Sequence, residues 1–162
     1  MKKLILTIFF ILFALTSYVF AETIKAGVSI DAVPKSFFGS WQVDAQLEKT
    51  NNYSTFKPVS RDLWNLSRTG NVITLENPFT KAHAQVEIKH TEGNVIVFYK
   101  ESTFDNKVLR DTVTIRLNGN TFGGYNDLVL ETISLYDGHV LKRDTAKYLI
   151  KGKKLAGTSV LK

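Results

Sequence analysis

From Ser40 to Glu48 the chain alternates. Trp41, Val43, Ala45 and Leu47 take one parity, and Ser40, Gln42, Asp44, Gln46 and Glu48 take the other. Successive side chains of a strand point to opposite faces, so this spacing predicts a half-buried strand with one wet face. The same period returns at Ala82, Ala84, Val86 and Ile88 against His83, Gln85, Glu87 and Lys89. It returns again where Leu109, Val113, Ile115 and Leu117 oppose Arg110, Thr112, Thr114 and Arg116. Strands apolar on both faces are predicted over 59–68 and 95–101, a short one over 72–76, and further ones over 128–136, 140–150 and 155–161. The polar stretch 49–57, closed by Pro58, reads as a loop. No segment sustains a 3.6-residue period.

Between these runs a short phrase recurs, in which a glycine among polar residues precedes a new apolar run. It stands at Gly70, Gly93, Gly119, Gly138 and Gly152, and its clearest copies are Thr69-Gly70-Asn71, Glu92-Gly93-Asn94 and Asn118-Gly119-Asn120. Each predicts a tight hairpin turn. The successive spacings of 23, 26, 19 and 14 residues are too uneven for a stacked solenoid repeat. Gly123 and Gly124 mark a bend or bulge within a strand. The expected fold is all-β: an antiparallel up-and-down meander of about eight to ten strands, closed into a barrel so that no long edge stays unpaired, with a β-sandwich as the alternative.

The first 21 residues do not share this pattern. Lys2 and Lys3 precede an apolar run from Leu4 to Leu15, and Val19-Phe20-Ala21 offers a cleavage site, so 1–21 reads as a signal peptide. The alternative is an uncleaved membrane anchor. An exported protein, periplasmic or extracellular, is expected. Residues 22–36 form a leading segment with one short strand, and 37–162 form a single domain. The sequence contains no cysteine, which removes disulfides, thiolate chemistry and cysteine metal sites from consideration.

Charge is unevenly placed. The net charge is +6, and loss of Lys2 and Lys3 leaves +4. Residues 142–162 carry seven basic side chains against Asp144, so the rest of the mature chain is slightly acidic. This basic end, read as a final hairpin, either faces an anionic envelope surface or protects a sheet edge with lysines.

At the start of the first clear strand the chain reads Phe38-Gly39-Ser40-Trp41-Gln42-Val43. This resembles the G-x-W motif that opens the barrel in lipocalins and the wider calycin group. The resemblance implies that Gly39 lets the chain approach the barrel floor closely and that Trp41 packs across the closed end. It also implies a basic residue over that tryptophan from a late strand, a place for which Arg143 is the candidate. The second lipocalin motif, a Thr-Asp-Tyr triplet in a later turn, has no counterpart, and no amphipathic helix follows the strands.

Catalytic constellations are not legible, and neither enzyme activity nor a cofactor is expected. His83, His90 and His139 lack metal-ligand spacing. His83 and His90 differ in parity, which places His90 on the apolar face as a core or rim residue. Asp111 interrupts the apolar face between Leu109 and Val113, where it needs an ion-pair partner or a raised pKa. Among the many aromatic residues, Trp64, Phe98, Tyr99, Tyr136 and Tyr148 are the candidate ligand-binding set, rings for an apolar ligand and hydroxyls for its polar end. The expected function is non-catalytic binding or carriage of a small apolar or amphiphilic ligand. The alternative is an envelope interaction protein with a filled core, binding an anionic surface or a protein partner through its basic end. Nucleic acid is not an expected partner.

Overall fold

The computed structural model describes residues 28–157 and 159–161. The proposed signal peptide and residues 22–27 of the leading segment lie outside the described residues. Nine strands follow one another: β1 (Gly39–Thr50), β2 (Val59–Thr69), β3 (Val72–Glu76), β4 (His83–Glu92), β5 (Val95–Phe104), β6 (Lys107–Asn118), β7 (Thr121–Ile133), β8 (Val140–Ala156) and β9 (Ser159–Leu161). Eight of them form a ring-like antiparallel sheet in meander order, not two stacked sheets. β1 closes the ring by pairing on both sides: Gln42 lies between Leu63 and Lys153, and Asp44 between Arg61 and Lys151.

The glycine phrases stand at four of the corners, Gly138 taking φ +76° between β7 and β8. Gly70, Gly93 and Gly119 each take φ near +57°, a left-handed conformation that suits a two-residue hairpin, and Asp105 does the same between β5 and β6. These Gly-Asn turns all lie at one end of the ring, called here the closed end. Gly152 is different. It was expected to turn the chain, yet it lies in the middle of β8, so the basic segment is one long strand rather than a hairpin. Its lack of a side chain serves packing: the ring of Phe122, its cross-strand partner, lies in the space a Cβ would take. Beyond β8, β9 runs parallel to the last residues of β2.

Among the described residues of the leading segment there is no strand, and Ile30–Ala32 and Lys35–Phe37 form two 3₁₀ turns across the closed end. They deliver Phe37 and Phe38 to the interior, both buried. Trp41 is fully buried as well, and its indole N–H donates to the Phe37 carbonyl at 2.9 Å. Gly39 must be a glycine here, because its φ is +122° and a Cβ would overlap the Gly157 carbonyl. The basic residue above Trp41 is Lys154, not Arg143. Lys154 pairs across from Trp41, its ammonium stands 5.0 Å from the indole ring, and it donates to the Ser36 carbonyl at 2.7 Å. Arg143 lies near the other end of this 17-residue strand and faces outward.

Six rings join inside. Phe37 lies 5.5 Å from Phe38 and 5.6 Å from Phe98, Trp64 lies 6.1 Å from Phe98 and 5.9 Å from Phe122, and Phe122 lies 5.1 Å from Trp41. Aromatic side chains therefore fill the closed half of the ring. Gly152→Ala should cost about 1–3 kcal/mol by overpacking against Phe122, read as a lower denaturant midpoint. Gly123→Ala, where a Cβ meets open space, should stay within about 0.5 kcal/mol of the parent.

Candidate functional site

Cross-strand register lays out the interior level by level. Ile96, Ile115, Gly124, Ile150 and Ala45 form one inward row, and Phe98, Val113, Asn126, Tyr148 and Leu47 form the next. Above them, toward the end opposite the Gly-Asn turns, comes a row of Lys100, Asp111, Leu128 and Ala146. From one row to the next Phe98 gives way to Lys100, Val113 to Asp111 and Tyr148 to Ala146, while Asn126 gives way to Leu128. Ala84, Ser102 and Ala146 fall on inward positions of this mouth half.

Buried charge is concentrated at this level. Asp111 is 3% exposed and forms an ion pair with Lys100, whose side chain is mostly covered. Burial pushes the Asp111 carboxyl above its usual range, while Lys100 and the amide of Asn126 pull it the other way. The second oxygen of Asp111, Oδ1, and Oδ1 of Asn126 are buried with no hydrogen-bond partner among the described residues. Both of these unpartnered atoms are acceptors. On the neighbouring wall the Trp64 indole donates to Asp62 at 3.2 Å, and the Asn77 amide bonds the other oxygen of Asp62.

The loop between β1 and β2 covers this half. It buries Phe56 against the core. Thr55 donates to the buried Asp144 at 3.1 Å, the Tyr148 hydroxyl donates to the Lys57 carbonyl at 2.8 Å, and Leu47 N–H donates to the Pro58 carbonyl at 2.8 Å. Lys142 holds the Asp144 carboxyl below its usual range.

Of the five aromatic residues expected in a binding site, Trp64, Phe98 and Tyr148 meet in the interior. Tyr99 does not, because it has the opposite parity to Phe98. It lies on the outer face and donates to Glu101 at 2.6 Å. Tyr136 is 98% exposed, since β7 ends at Ile133 and leaves it on a turn. His90 is corrected too: a bulge between Ile88 and His90 turns it outward, where its side chain is 56% exposed. Lys100 and Asn126 were readable from parity, since they continue the inward series of Ile96 and Phe98 and of Phe122 and Leu128. Phe56 had no sequence signal. Among the described residues no three His, Asp or Glu side chains are placed to hold a metal.

The outer face carries its own features. Arg110 and Arg143 both bond Glu131, the latter at 2.7 Å, and Arg110 also reaches Glu101 at 3.0 Å, so one ladder staples β5 to β8. A groove of about 950 Å³ runs over β6 to β8 between Val95, Arg116, Tyr125, Leu149 and Lys151, with Gly123 in its floor. A second, of about 450 Å³, lies on the other side of Lys151, beside Asp44 and Arg61.

No family model matches the chain, and no curated protein or solved structure shows significant similarity to it.

The hydrogen bonds from Arg110 and Arg143 hold the Glu131 carboxyl below its usual range. A carboxyl so depressed contributes stability above its unfolded pKa, 4.5, and loses it as pH falls through the lower folded value. Thermal melts from neutral pH into the acid range should therefore show Glu131→Gln less stable than the parent at neutral pH. The gap should narrow as acid protonates the parent's carboxylate, and a constant gap would show that the pairing carries no pH dependence.

Proposed function

We propose that this protein is an exported, lipocalin-like, non-catalytic carrier of a small amphiphilic ligand, held in the mouth half of the ring. The carrying observation is the inward step from Phe98 and Tyr148 to Lys100 and Ala146, beside the buried Asp111 and the half-buried Lys100 and Asn126. Trp64, Phe98 and Tyr148 give an apolar floor, and the polar row above it offers hydrogen bonds to a headgroup. Because the two unpartnered atoms are both acceptors, they favour a headgroup that donates, a hydroxyl or an amine, over a bare carboxylate. Phe56 and its loop shield the site, so loading requires that loop to lift from β8. The lipocalin-like assignment is supported by the packing of Gly39, Trp41 and Lys154 over the closed end.

Native mass spectrometry of gently purified protein should detect a bound amphiphile, and delipidated protein should take up a fluorescent long-chain alcohol. Ala84→Phe with Ala146→Phe fills the mouth half. That variant should lose uptake while keeping its strand circular dichroism; undiminished uptake would sink the proposal.

A second reading, an interaction protein acting through the basic outer face of β8, is favoured by the groove beside Lys151. Lys154 has no part in that surface, since it is turned in over Trp41. Lys151→Glu with Lys153→Glu should leave alcohol uptake unchanged. Loss of uptake in this variant would place the ligand in the outer groove instead.

A further inference from the structure

The two ends of the ring differ in what their turns expose. An antiparallel meander puts alternate connections at opposite ends. The three at the closed end are Gly-Asn pairs. The four at the mouth each carry a large apolar side chain in water: Tyr53 between β1 and β2 (78% exposed), Phe79 between β3 and β4 (83%), Phe104 at the β5–β6 corner (46%), and Leu135 and Tyr136 between β7 and β8 (87% and 98%). Singly exposed apolar residues are ordinary, but their gathering on every tip of one end is not.

Charge points to the occupant. Lys57, Lys81 and Lys107 stand within four residues of Tyr53, Phe79 and Phe104, and none forms an ion pair among the described residues. The acids on these connections are Asp105 and Asp137, and Asp137 is occupied by His139. Isolated rings on four separate loops, with lysines beside them, do not make the continuous packed core of a protein interface. They suit the headgroup region of a bilayer, where tyrosine and phenylalanine insert singly and lysine meets anionic lipid.

We infer that the mouth end of the ring docks on an anionic lipid surface, with Tyr53, Phe79, Phe104 and Tyr136 entering the headgroup layer. This docking does not depend on the ligand reading; where both hold, the loop carrying Phe56 faces the bilayer and the ligand exchanges there without crossing water.

Flotation with vesicles of phosphatidylcholine and phosphatidylglycerol tests it. The protein should float with these vesicles and less with pure phosphatidylcholine. Phe79→Ser with Tyr136→Ser changes two side chains that are almost wholly in water, so the strand circular dichroism should be unaltered, and affinity should fall about tenfold or more. A tryptophan placed by Tyr136→Trp should shift to the blue on binding and be quenched by brominated lipid. Native Trp41 and Trp64, buried in the ring, should not respond. Three results would overturn the proposal: unchanged flotation of the double serine variant, loss of flotation in Lys151→Glu with Lys153→Glu but not in the serine variant, or a protein dimer broken by the serine changes with no vesicle binding.

Discussion

Trp41 is the point on which the closed end depends. Its N–H is satisfied by the Phe37 carbonyl, its face is covered by Lys154, and its ring lies against Phe122. An indole buried in an apolar interior needs a hydrogen-bond partner, and here that need ties the leading 3₁₀ turns to the first strand. Lys154 has a parallel constraint. Burial lowers its pKa, and its ammonium is kept in place by the Ser36 carbonyl and the indole face. Both glycines at this level follow from the same packing: Gly39 lets β1 start beneath Gly157, and Gly152 clears the space for Phe122.

Above this floor the interior has another character. Asp111 and Asp144 are buried at the level where the side chains shorten, each with one lysine. Lys100 is mostly covered, so removing it would leave the Asp111 charge uncompensated, whereas Lys142 is largely in water and Asp144 keeps the hydrogen bond from Thr55. Glu131 is buried in a different way, on the outside, covered by two arginines that also reach across strands. The ring is thus braced from without by ions and from within by aromatic rings.

Much of this architecture could be read from alternation and turns. The strands with one wet face, such as 40–48 and 82–89, were legible because a single register decides all their side chains at once. What escaped depends on contacts distant in sequence. Gly152 looked like Gly70 and Gly119, and only the ring of Phe122, thirty residues earlier, distinguishes a packing glycine from a turn. Arg143 and Lys154 are both basic residues of the same late strand, and the choice between them depends on which end of β8 lies beside Trp41. Tyr136 closed the strand expected over 128–136, but β7 stops at Ile133, and the His90 bulge reversed a parity that the sequence alone could not revise. Phe56, in a polar loop, becomes buried only because Asp144 and Tyr148 hold that loop down.

The short β9 strand has a consequence for how the ring behaves among other molecules. β1 pairs with β2 only as far as Leu66, so the last residues of β2 would present open backbone groups on that side. β9 pairs with Ser67, Arg68 and Thr69 and takes up that remainder. A flat unpaired strand is a template on which other chains add, and rings avoid this by having no such template. The chain's last described residues thus act as a seal on that stretch of the seam, where another chain would otherwise find a place to begin.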